Sequence, residues 1–122
     1  MAEMNEDMQK ELIEFQKLQQ QLQMIAMQKQ QTDLQVSEID RAFEETGKAK
    51  DGEKLYRYFG GVLVPKEKES IQTDLKEEKE KLELRSSVLG KQESKFTERM
   101  QTISKKVNSF LKSQNEGEGT AI

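Results

Sequence analysis

The chain has 122 residues, of which 33% are hydrophobic and 35% charged, with a net charge of -3; it is at most one ordinary domain, and lean for a globular core. It contains no cysteine, histidine or tryptophan, which excludes disulfides, thiol nucleophiles, histidine bases and Cys/His zinc sites. No apolar run approaches the ~20 residues of a membrane span, and the N-terminal Met-Ala-Glu-Met-Asn-Glu-Asp is acidic where a secretion signal would be basic, so a cytoplasmic protein is expected.

From Met4 to Phe43 the apolar residues follow a heptad. Positions a are Met8, Phe15, Leu22, Lys29, Val36 and Phe43; positions d are Met4, Glu11, Leu18, Ile25, Thr32 and Ile39. Nine of these twelve are apolar and the run holds no glycine or proline. A seam that repeats every 3.5 residues keeps one stripe facing a partner helix, which predicts a coiled-coil helix over 4–46. The many glutamines, among them Gln19, Gln20, Gln21, Gln30 and Gln31, are good helix formers for the solvated faces. Gly47 is placed to end this helix, and Gly47 to Gly52 is a polar connector.

Residues 54–66 read as a β-hairpin. Aromatic and β-branched residues flank Gly60-Gly61, and two glycines between two such runs suit a two-residue turn that needs positive φ. In that register Phe59 opposes Val62 and Arg57 opposes Val64 on one face, while Tyr58 opposes Leu63 and Tyr56 opposes Pro65 on the other. Both faces are largely apolar, and a lone two-stranded hairpin is marginal in water. Either another copy or subunit pairs with it, which makes it an assembly element, or it folds locally against its own helices. Pro65 is expected to end the second strand, since it cannot donate to a ladder.

A second helix is expected over 67–111, with Glu67 and Glu69 at the positive end of its dipole. Its d positions, Leu75, Leu82, Leu89, Phe96, Ile103 and Phe110, are all apolar; its a positions are Gln72, Lys79, Ser86, Glu93, Met100 and Val107. The seam is therefore thin near the hairpin and full toward the C-terminus. Gly90 costs ~1 kcal/mol relative to alanine inside a helix and marks a soft point. Residues 112–122 are polar, glycine-rich and aperiodic, so a disordered tail is expected.

An antiparallel coiled coil layers a against d. If paired numbers sum to 118, Phe43 meets Leu75, Val36 meets Leu82, Leu22 meets Phe96, Phe15 meets Ile103 and Met8 meets Phe110, and the centre of symmetry falls at Phe59 in the hairpin tip. The fold class expected is mainly α: an antiparallel two-helix coiled coil with a β-hairpin at its connecting end. At the free end gather Met4, Met8, Val107 and Phe110 of the seam, which either zip the helix ends or bind an apolar partner. Leu12, Ile13 and Leu111 lie off the seam, where a coil should be polar, and these favour binding.

The order helix, hairpin, helix, with Tyr56-Arg57-Tyr58-Phe59-Gly60-Gly61-Val62-Leu63-Val64 at its centre, resembles the β-class subunits of prefoldin (GimC). The run from Leu82 to Glu93 is similar to the archaeal members. A β-class chain has one hairpin, as here; an α-class chain has two. The resemblance implies a hexamer of two α-class and four β-class subunits whose hairpins form a β-barrel platform. Tyr56, Tyr58, Phe59, Val62, Leu63 and Val64 would then be oligomerisation contacts. Met4, Met8, Leu12, Ile13, Val107, Phe110 and Leu111 would touch unfolded client proteins, which pass to a group II chaperonin without ATP. A structural coiled-coil adaptor or tether is the alternative, and it leaves the hairpin faces and off-seam residues as accidents. No cofactor or metal is implied and no catalytic residue is assigned; adjacent acids such as Glu44-Glu45 read as solvated faces. The basic residues form no stripe that would neutralise a run of phosphates, so no nucleic acid is expected.

Overall fold

The computed structural model describes residues 6–121, with side chains described through 115. Helix α1 spans Glu6–Gly47, strand β1 Leu55–Phe59, strand β2 Val62–Lys66 and helix α2 Lys68–Ala121. Met4, counted at the start of the first seam, lies outside the described residues. Among the described residues no helix is long and apolar enough to cross a membrane.

Helix α1 runs without interruption to Gly47, and its last carbonyls are satisfied in three ways. Lys48 and Ala49 donate their N–H groups to the Glu45 and Thr46 carbonyls, tightening the final turn. The Thr46 hydroxyl donates back to the Ala42 carbonyl at 2.8 Å. From α2, the Gln72 amide donates to the Phe43 carbonyl at 2.9 Å and to Thr46 Oγ1 at 3.2 Å. The connector then turns through Gly52, at φ 86°, where Glu53 donates its N–H to the Lys50 carbonyl.

Strands β1 and β2 pair antiparallel in the register expected, Tyr56 with Pro65, Arg57 with Val64, Tyr58 with Leu63 and Phe59 with Val62. Gly60 and Gly61 have φ of 48° and 91°, the two positive angles of a type I′ turn, whose twist matches that of the strands. Pairing continues one residue past Pro65, with Lys66 opposite Leu55; a proline loses one donor without leaving the extended region.

The chain divides into two compact units: Gln28–Leu89, and Met1–Met27 with Gly90–Ile122. In the first, the buried residues are Thr32, Ile71, Leu75 and Leu89. Cross-helix hydrogen bonds there join Gln72 to Thr46, Lys79 to Asp40 at 2.6 Å and Ser86 to Asp33 at 2.8 Å. All three pairs have numbers that add to within one of 118, so α1 and α2 run antiparallel in the expected register. Thr32 fills its seam position as a neutral group, because its hydroxyl donates to the Gln28 carbonyl at 2.8 Å. Ile71 is buried although the heptad put Gln72 on the seam. The reason lies in the first turns of α2, which pack on the end of α1 and the connector, as the Gln72 bonds and a Lys68 Nζ bond to the Ala49 carbonyl at 2.9 Å record.

In the second unit Leu18, Ile25 and Ile103 form the buried core, and Ile103 is completely inaccessible. Phe15, Leu22, Phe96, Met100 and Val107 are half-buried around them. Helix α2 does not stop at Leu111. It continues through Ala121, where disorder was expected: once nucleated, a helix gains one bond for each residue added, and no proline stands in the way.

Candidate functional site

The hairpin has two unlike faces. Arg57, Val64, Leu55 and Lys66 are half-buried on the side that meets α2. Arg57 reaches two carboxylates of that helix, bonding to Glu78 and lying 3.8 Å from Asp74. Lys66 lies 3.6 Å from the same Asp74. The other face carries Tyr56, Tyr58, Leu63 and Pro65, with Tyr58 and Leu63 68% and 64% exposed. At the tip Phe59 and Val62 are also open to solvent.

Of the six residues expected at an assembly contact, five form this open apolar surface and Val64 belongs to the covered face. The chain's own helix covers one face with charge pairs, and the aromatic one is bare. Sequence reading missed the ionic lining because Arg57 was weighed only as a strand residue. The available signal was a cation on each strand of one hairpin face, Arg57 and Lys66, followed by acids at Asp74 and Glu78, one turn apart in the first part of a helix.

The client-binding candidates fall in the unit that contains the N-terminal part of α1 and the C-terminal part of α2. Ile13 and Leu111 are exposed, at 54% and 49%. Leu12, Met8, Val107 and Phe110 are half-buried, as seam residues and their neighbours are. Met4 is outside the described residues. Thus the structure leaves two of the seven open and gives four a share in holding the helices together.

Beside them sits an ionic cluster. Arg99 donates from Nε to Glu14 Oε1 and from Nη2 to Glu14 Oε2, both at 2.8 Å, and from Nη2 to Glu11 at 3.1 Å. Lys106 donates to the other oxygen of Glu11 at 3.2 Å. Glu11 occupies a d position, so this cluster satisfies a carboxylate that the seam would otherwise strand. The Arg99 bond holds the Glu14 carboxyl below its ordinary pKa. A carboxyl depressed on folding stabilises the folded chain above its unfolded pKa, about 4.3, and that contribution disappears as pH falls through the lower folded value. Thermal midpoints followed by circular dichroism are therefore expected to fall between pH 5 and pH 3. Arg99→Met should flatten that slope, and an unchanged slope would remove Glu14 from the acid response.

A family model described as prefoldin subunit matches residues 9–114. The chain belongs to the prefoldin subunit family. The prefoldin subunit beta of Sulfurisphaera tokodaii is 33% identical over 116 residues, covering 95% of this chain and 93% of that one. That of Archaeoglobus fulgidus is 33% identical over 114 residues, covering 93% and 98%. The crystal structure of the prefoldin beta subunit from Thermococcus strain KS-1 superposes with a TM-score of 0.81 at 30% identity, covering 89% of this chain and 96% of that chain. The resemblance read from the hairpin and from Leu82 to Glu93, to archaeal β-class prefoldin, holds. The protein is a prefoldin-type chaperone subunit, two long helices joined through one hairpin.

Proposed function

We propose that this chain is the β-class subunit of a cytoplasmic, ATP-independent holdase that assembles through its hairpin with an α-class prefoldin subunit, as two α-class and four β-class chains. It captures unfolded client proteins at the free ends of its coiled coil and passes them to a group II chaperonin. The observation that carries this reading is the bare aromatic face of the hairpin, on an element that its own helix already covers from the other side. Such a face buries itself only against further chains, and pairing hairpin to hairpin gives each strand edge a partner.

Capture would be weak at each end. A few hundred Å² of apolar contact at about 25 cal/mol per Å² is several kcal/mol before ordering costs. Several such ends on one platform raise the effective concentration of binding surface, so a client stays held while single contacts open and close quickly. Release then needs no nucleotide.

Removing residues 1–13 and 104–122 tests the reading. Suppression of aggregation of a denatured test protein is expected to fall at least tenfold while the native mass of the assembly drops only by the residues removed. Full suppression by the trimmed assembly would place client binding elsewhere.

A further inference from the structure

We infer that Arg57 is a positioning residue for assembly, latching the hairpin to the start of α2 so that its aromatic face is held at a fixed angle to the shaft. The inference rests on the assembly reading above.

A hairpin joined to two helices by short connectors can rock about its base unless something on the shaft grips it. Apolar packing supplies only part of that grip: Leu55 and Val64 are half-buried on the inner face, while Phe59 and Val62 at the tip are exposed. Charge supplies the rest. Arg57 spans Asp74 and Glu78, residues four apart and so neighbours on one face of α2. Lys66, from the opposite strand, meets Asp74 at 3.6 Å. Two strands are thus tied to one helix face by two cations and two carboxylates. The Arg57 and Asp74 side chains retain only 22% and 35% of their exposure, which limits screening of the cluster by water.

The same two cations also set the tip. The Arg57 guanidinium lies 5.4 Å from the centre of the Phe59 ring and the Lys66 ammonium 5.7 Å from it, within reach of a cation–π contact. Phe59 and its partner Val62 are the expected assembly residues next to the turn, so the groups that grip the helix also fix the ring offered to a neighbour. A planar guanidinium can bond two carboxylates and stack on a ring at once; a lysine or leucine cannot.

The chain has no cysteine, so spin labels at Leu63→Cys and Lys81→Cys report the hairpin-to-shaft distance in the full-length chain without background. Assembly with an α-class prefoldin subunit is followed in parallel by analytical ultracentrifugation of the otherwise unlabelled chain. Arg57→Leu is expected to broaden the distance distribution and weaken assembly at least tenfold. Arg57→Glu should do more, and Glu78→Arg added to it should recover at least tenfold. An unbroadened distance with undiminished assembly in Arg57→Leu overturns the latch. So does broadening that the exchanged pair leaves unrelieved, because a packing role would not depend on which partner carries which sign. Should the unsubstituted chain fail to assemble, the assembly reading falls, and the distance measurement alone decides whether Arg57 fixes the hairpin.

Discussion

Phe59→Asp together with Val62→Asp is expected to reduce the native mass of the prefoldin particle to that of single chains, with loss of client holding. The two residues oppose each other across the turn, and both are exposed in the single chain, so the substitutions cost little until a neighbouring subunit arrives. Burying an unpaired carboxylate then costs several kcal/mol, and in the proposed assembly the penalty would recur at every hairpin contact. Association should weaken by more than a hundredfold, since ~1.4 kcal/mol is a factor of ten. Helix content and melting of the isolated chain should hardly move, because the coiled-coil cores lie in α1 and α2. Sedimentation and an aggregation assay on the same samples check both halves. A monomeric variant that still holds clients as well as the assembly would mean that multivalent capture is not the mechanism.

The second large effect is on stability. Ile103 is the one large side chain among the described residues with no solvent contact at all. Ile103→Ala is expected to destabilise the chain by about 2–5 kcal/mol, the transfer term plus the cavity left behind. At a few degrees per kcal/mol for a chain of this size, the melting midpoint should fall by roughly 10 °C or more. Phe43→Ala makes the comparison: Phe43 is 42% exposed although it occupies an a position, and its loss should cost less than half as much. Both are read by circular dichroism at one protein concentration, since self-association would shift the midpoint by mass action. Equal losses would mean that the seam is stabilised evenly along its length.

Much of this was legible in the sequence because it depends on period and on local φ. The heptads of α1 and α2, the turn at Gly60-Gly61 and four of the five strand pairs follow from spacing alone, and the cross-helix bonds of Lys79 and Ser86 agree with the summed numbering to within one. What the residues did not disclose depends on side chains that reach across elements. Ile71 is buried beside Gln72, which still faces α1 through its bonds to Phe43 and Thr46, because the first turns of α2 also pack against the connector. Arg57 looked like a polar interruption in an apolar strand until Asp74 and Glu78 were set beside it. Past Leu111 the helix continues where a tail was expected: composition argues against starting a helix there, but says less about extending one. For the proposed client surface the sequence named a region, whose residues differ in burial. Ile13 and Leu111 stand open, whereas Val107 and Phe110 also hold the helices together, so single substitutions at the latter would mix binding with stability.

A sheet of two strands has no interior. Both β1 and β2 keep one side of their backbone free, so each hairpin can accept a neighbour on either side, with Pro65 withholding a single donor from one of those edges. A building block with two unlike connecting edges does not determine how many copies join. Rotation between successive hairpins does: a turn that divides a full circle closes a ring, and any other turn winds on as a fibre. Particle size in such a system is a question of angle, and strength of contact does not answer it.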